Sequence, residues 1–327
     1  MRVGKLSPAE LRARVFPFLG YRRDILEHAG IGRDCAVIDF GAEVCVATSD
    51  PITGASEHLG LLAVHVACND LAAAGAEPVG LLLTLLLAEA GAEEDLDRIM
   101  REAGAAAQTV GVEIIGGHTE VTPGLTRPLV VSAAIGRAPS GGFVTAGGGR
   151  PGDAVILTKG AGIEGTAILA ADLADRLRPL VGEATLSRAR GLLDLISVVP
   201  EGRMGARCGA TAMHDVTEGG VLNGVWELAE ASGCGVRLEA DAVTVLPETR
   251  LICEVLGADP LGLIGSGAML IAIADPGRLL LELAQAGIAA AVVGHLEQSD
   301  RTIIRGGRSL ALAPLDRDEL WRILEAL

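Results

Sequence analysis

The chain has 327 residues, half of them hydrophobic, with a mean hydropathy of +0.42, so it can bury a substantial core and has the length of two ordinary domains. A formal net charge of -15 and a pI near 4.8 argue against nonspecific binding to nucleic acid or an anionic membrane, although Mg2+ and backbone amides can still hold phosphate locally. No apolar run is long enough to span a bilayer, the N-terminal residues lack a signal-like apolar stretch, and the six cysteines show no Cys-x-x-Cys spacing, so a soluble, unprocessed cytoplasmic protein with reduced thiols is expected.

An amphipathic segment at 8–19 opens the chain. Strands at 36–40 and 43–48 are expected to turn at Gly41 and Ala42, with Asp34 ahead of the first and Asp50 just after the second. Leu59, Leu62, Val66, Asp70 and Leu71 recur at helical spacing, and Gly75 ahead of Pro78 reads as the helix stop. Asn69 and Asp70 therefore sit inside a packed helix. A carboxylate there needs a partner. A metal ion would serve, and an ordinary donor near the helix end would serve equally.

A strand at 80–87, a helix at 93–110 and a strand at 113–115 follow, the last running into a loop of Gly116, Gly117, His118, Thr119 and Glu120. A strand at 129–135 closes this half. The Gly-, Ser- and Pro-rich stretch 138–153 reads as a linker, dividing the chain into domains at 1–145 and 146–327.

The second half begins with a strand at 154–158, a glycine-rich loop from Lys159 to Gly165 and a helix at 166–176. Such a loop can aim amides at phosphate, but it fits neither the Walker A spacing nor Gly-x-Gly-x-x-Gly, and a tight turn explains it as well. All but two of the 27 basic residues are arginine, the exceptions being Lys5 and Lys159. Lys159 is a candidate for steadying a transferred phosphoryl group, with a plain surface lysine as the competing reading. A strand at 210–213 meets His214, Asp215, Val216, Thr217, Glu218, Gly219 and Gly220 before a helix at 221–231. Simple helix capping by Asp215 or Thr217 also accounts for that loop. Helices at 248–256, 276–285 and 317–327 and strands at 268–274, 289–293 and 302–304 complete an α/β half without a short repeat.

Asp34, Asp50, Asp70 and Glu120 all fall near element ends in the first half, where several hard oxygen ligands suit Mg2+ and nucleotide phosphates. Each lies beside Gly, Pro, Asn or Thr rather than in a Lys/Glu surface pattern. His118 suits a ligand loop, yet no second histidine stands at metal spacing, and His65 and His214 read as structural.

Five motifs in order, Gly32-x-Asp34-x-Ala36-Val37, Ser49-Asp50, Asp70-x-x-x-x-Gly75-Ala76-x-Pro78, Gly116 to Glu120 and Asp215-x-Thr217-x-Gly219-Gly220, resemble the aminoimidazole ribonucleotide (AIR) synthase superfamily over nearly the whole chain. Within it, the segments Asp50 to Gly54 and Gly116 to Gly124 are most similar to the hydrogenase-maturation HypE proteins.

The resemblance implies a two-domain α/β (α+β) fold of the PurM-like kind, with an N-terminal sheet that pairs across a homodimer into a barrel, a C-terminal α/β domain, and ATP with Mg2+ near the interface. Asp34, Asp50, Asn69, Asp70 and Glu120 would hold metal and phosphates, with the Gly116 to Glu120 stretch and Gly219 and Gly220 beside the nucleotide. Asp215, Thr217 and Glu218 would form the facing rim. The implied chemistry is phosphorylation of an amide-like oxygen.

Departures from HypE lie at the substrate end. Glu218 stands where those proteins carry arginine, Ser266 where they carry a proton-transfer glutamate, and no cysteine follows Cys253 to act as a self-modified thiol. The expected substrate is therefore a separate small molecule or carrier protein. A small-molecule kinase resembling thiamine-monophosphate kinase and a non-catalytic ATP-binding partner in metallocofactor assembly are the alternatives.

Overall fold

The computed structural model describes residues 5–326. In the first half, α1 (Pro8–Arg14) starts from a capping box between Ser7 and Glu10 and leads to β1 (Ile25–Glu27), β2 (Ala36–Asp39) and β3 (Glu43–Ile52). Then come α2 (Leu59–Ala73), β4 (Glu77–Leu87), α3 (Ala92–Val110), β5 (Glu113–Val121) and β6 (Leu129–Pro139). The six strands form one sheet in the order β1-β2-β3-β6-β4-β5, antiparallel throughout except for the parallel pair β4/β5.

The position of α2 explains its composition. It lies between the first sheet, α3 and elements of the second half, so 14 of its residues are buried and it has no polar face. Gly75, at φ +68, ends it as expected. The helix α3 is amphipathic and turns only Ile99, Ala103, Ala106 and Ala107 inward.

The second half contains β7 (Ala154–Thr158), α4 (Ile163–Asp172), α5 (Ala174–Val181), α6 (Glu183–Arg190), α7 (Val199–Cys208), β8 (Ala212–Asp215), α8 (Gly220–Ala231) and β9 (Gly235–Glu239). It continues through α9 (Pro247–Leu256), β10 (Met269–Ile273), α10 (Gly277–Gln285), β11 (Ala290–Glu297), β12 (Arg301–Arg305), β13 (Arg308–Ala311) and α11 (Glu319–Glu325). Seven strands pair in the order β13-β12-β9-β11-β7-β10-β8. β7 and β10 are buried along their whole length because α8 covers one face of this sheet while α7 and α10 cover the other. The mixed α/β architecture with two sheets is the expected fold class.

Several expected boundaries move, and three of the moves matter for the site. β3 extends to Ile52, so Asp50 lies within a strand rather than after it. β8 extends to Asp215, placing that carboxylate inside the sheet. The stretch Gly116 to Glu120, expected as a loop, is the second half of β5 and keeps the parallel ladder with β4. Gly117 permits this approach, since a Cβ there would stand 1.8 Å from the Leu83 carbonyl oxygen. The helix expected at 166–176 is instead the pair α4 and α5, while β1, β9, β13, α6 and α7 carried too little periodicity to be recognised.

Candidate functional site

A cleft of about 740 Å³ opens between the two halves. One end is acidic. Asp34 precedes β2, Asp50 points in from β3 and Asp70 from the last turn of α2, and all three line the cleft. The Thr48 hydroxyl lies 2.5 Å from Asp70 Oδ2 and 3.3 Å from Asp50 Oδ2, so its single proton cannot serve both carboxylates fully. Asp215 reaches the same region from β8, is fully buried, and has no hydrogen-bond partner at either carboxylate oxygen.

The electrostatics follow from this crowding. Burial and then the neighbouring Asp50, Asp215 and Asp34 raise the Asp70 pKa well above the usual carboxylate range. Burial, followed by Asp34, pushes Asp215 up to about 8. His214, also from β8, offsets part of the charge: Nδ1 lies 2.8 Å from Asp34 and Nε2 lies 3.0 Å from Glu227. Burial alone would keep the ring neutral, but the two carboxylates outweigh it and raise its pKa well above the ordinary value. With both ring nitrogens held by carboxylates, His214 has no ring nitrogen free to ligate a metal, although it clusters with Asp34 and Asp215.

The acidic donors fit a hard divalent cation. Asp34, Asp50, Asp70 and Asp215 supply oxygen ligands only, and the two orphaned Asp215 oxygens together with the elevated Asp70 pKa mark charge that the protein itself does not neutralise.

Three expected site groups are placed elsewhere. Asn69 does not face the cleft: its Nδ2 donates to the Ile196 carbonyl at 2.8 Å and its Oδ1 accepts the Val198 N–H at 2.8 Å. Lys159 is likewise spent, donating to the carbonyls of Leu195 (2.7 Å) and Ser197 (2.6 Å) and pairing with buried Glu201 at 2.8 Å. Together these side chains grip residues 195–198 from both halves of the molecule. Gly116, Gly117, His118, Thr119 and Glu120 lie on the exposed edge of the first sheet and do not line the cleft. There Glu120 contacts His118 at 3.0 Å, accepts the Thr122 hydroxyl at 2.9 Å, and has a lowered pKa chiefly through His118.

Of the expected facing rim, Asp215 is buried and is not among the cleft-lining residues. Thr217 and Glu218 line the cleft between β8 and α8. Gly220, at φ +60, lets the backbone pass Leu261 and Leu263, whose carbonyl oxygens would stand 2.6 Å from a Cβ. The amides of Gly219 and Gly220 are not free for phosphate, since they donate to Asp318 and to the Thr217 carbonyl. Glu218 Oε1 accepts the Lys5 backbone N–H at 3.0 Å and Trp321 Nε1–H at 3.1 Å, so one carboxylate ties both chain ends across the cleft mouth.

Sequence reasoning missed Glu164, Arg127 and Trp321 as cleft residues. For Glu164 a signal existed: it is the only charged residue in the first turn of the largely apolar α4.

Two family models match most of the chain: AIR synthase related protein, N-terminal domain, at residues 32–138, and its C-terminal domain at residues 150–307. The chain belongs to the AIR synthase-related family.

Among members of this AIR synthase-related family, carbamoyl dehydratase HypE of Rhizobium leguminosarum bv. viciae is 32% identical over 255 residues, covering 76% of this chain and 71% of that protein. The hydrogenase expression/formation protein HupE of Azotobacter chroococcum mcd 1 is 33% identical over 247 residues, covering 72% and 69%. The solved structure of hydrogenase maturation protein HypE in complex with ATP superposes with a TM-score of 0.72 at 21% identity, covering 98% of both chains, and so shares the fold.

Proposed function

We propose that this protein is an ATP- and Mg2+-dependent enzyme that phosphorylates the amide-like oxygen of a separate small-molecule or carrier-protein substrate. The observation that carries this reading is the convergence of Asp34, Asp50 and Asp70 on an interdomain cleft, with Asp215 buried behind them and without a hydrogen-bond partner at either oxygen. The AIR synthase-related match and the carbamoyl dehydratase name of a relative at 32% identity supply the reaction class.

When bound, Mg2+ supplies charge neutralisation and a template for the polyphosphate. Asp34, Asp50 and Asp70 would hold it, with Asp215 as a further carboxylate behind them. Lys5, Arg33 and Arg127 line the same cleft and offset phosphate charge. Thr217, Glu218, Glu164, Ser266 and Trp321 line the same cleft, where the acceptor would lie. The site holds an acceptor and a phosphoryl donor together, and the acceptor's own oxygen acts as nucleophile, so no protein nucleophile is required.

A second copy of the chain completes the assembly. The β5 edge leaves backbone groups unpaired, and Val79, Leu82, Ile115 and Val121 expose apolar surface on β4 and β5. Pairing there gives the homodimer that the family resemblance implies. A hydrogenase-maturation partner fits the name of the second relative and the HypE-HypF complex among solved structures.

The test is isotopic. With ATP, Mg2+ and a carboxamide labelled with 18O in the carbonyl, the label is expected in released inorganic phosphate. A stable phosphorylated acceptor would identify a kinase instead, and ATP binding without any turnover would identify a non-catalytic assembly partner.

A further inference from the structure

The cleft lining holds a second unexplained carboxylate. Glu164, the second residue of α4, is only 5% exposed, lines the cleft, and has one carboxylate oxygen buried without a partner. Ser266, buried in the same cleft wall, is the polar group that partly offsets the rise that burial gives the Glu164 pKa. Helix capping does not account for this placement. The nearby amides of α4 are spent elsewhere, Gly165 N–H on the Ile264 carbonyl and Thr166 N–H on the Gly162 carbonyl, and no side chain caps this helix. No cation pairs with Glu164 among the described residues; the charged group facing it is Glu218, a like charge. Burial, the larger influence, raises its pKa above the ordinary glutamate value. A buried carboxylate with a vacant lone pair beside a substrate space is suited to accept a proton.

We infer that Glu164 is the proton acceptor of this site, a role that rests on the amide-activation reading above. In that reaction the amide oxygen attacks the γ-phosphorus and the bond to the ADP oxygen breaks. The carbon–oxygen bond then breaks with phosphate as leaving group. One N–H proton passes to the Glu164 carboxylate and the other to phosphate, their electron pairs forming the new carbon–nitrogen bonding. Ser266, itself without a carboxylate, fixes the orientation of the Glu164 group.

The substitution Glu164→Gln preserves shape and removes the acceptor. With N-acetyl-S-carbamoylcysteine as probe, ATP-dependent product formation is expected to fall at least about 100-fold, while Mg-ATP affinity by calorimetry stays within about twofold. Glu164→Asp should recover part of the rate. Turnover within about threefold of the parent, or parallel loss of nucleotide binding, would overturn the assignment. A readout independent of turnover is the 13C NMR titration of the Glu164 carboxyl, identified by its disappearance in Glu164→Gln. Titration above the ordinary glutamate range in the presence of Mg2+ and a non-hydrolysable ATP analogue is expected, and titration at or below that range overturns the assignment. Failure of the parent protein to bind Mg-ATP would instead remove the underlying reading.

Discussion

His214 Nδ1 lies 2.8 Å from the Asp34 carboxylate, a contact that joins the second sheet to the start of the first. With Glu227 at the other ring nitrogen, the imidazolium neutralises charge at the rear of the acidic site. Its folded pKa is raised, so its stabilising contribution is complete below about pH 6.5 and fades as pH rises through the folded value. His214→Gln should cost about 3 kcal/mol at pH 6 in urea denaturation, because two partly buried carboxylates lose their partner. The cost should shrink in alkaline solution. A cost under about 1 kcal/mol at pH 6 would show that the ring is neutral.

Asp70 and Asp215 also lower stability as pH rises, but through a charge that the fold disfavours. Their folded pKa values are raised, so ionising them destabilises the metal-free protein, an effect absent near pH 4 that grows until pH passes the folded values, about 8 for Asp215. Thermal stability without metal should therefore fall between pH 5 and 8.5. Asp215→Asn should raise the midpoint at pH 8 by several degrees, given about 2–4 °C per kcal/mol in a domain of this size. Added Mg2+ should stabilise the parent more at pH 8 than at pH 5. A pH-independent Mg2+ effect would exclude these carboxylates as its ligands.

Asn69 and Lys159 grip residues 195–198 from opposite sides. Asn69→Ala leaves a buried N–H and a buried carbonyl without partners, and about 2–4 kcal/mol of stability should be lost in urea denaturation. A fully stable Asn69→Ala protein with impaired nucleotide binding would return this residue to the site.

The exposed apolar residue Ile115 on edge strand β5 gives a test of assembly. Ile115→Lys should convert a dimer to monomers in sedimentation velocity without lowering the thermal midpoint of the monomer. A parent protein that sediments as a monomer at micromolar concentration would contradict pairing through this edge.

The residues legible in sequence were those whose chemistry conflicts with their surroundings. Asp70 stands out because it interrupts an apolar helix, whereas Asp215 reads from sequence as part of a helix-opening loop and is placed in a buried strand only by the fold. The fates of Asn69 and Lys159 were not legible, since the segment that consumes both lies between β7 and α7, 127 residues or more from Asn69. The Gly116 to Glu120 stretch misled because two adjacent glycines normally mark a loop, whereas here they allow close approach to β4. Glu164 was signalled only by its charge at the start of α4, since its unpartnered oxygen becomes visible only once the cleft wall is in place.

Calorimetric titration with ATP, with and without Mg2+, tests the central claim most directly, using the parent protein and Asp70→Asn. Metal-dependent binding in the parent, weakened at least tenfold in Asp70→Asn without loss of thermal stability, is the predicted result, tenfold corresponding to about 1.4 kcal/mol. No binding at millimolar ATP, or binding of equal strength without Mg2+ and in Asp70→Asn, would contradict the assignment of the acidic end of the cleft to a metal-nucleotide complex.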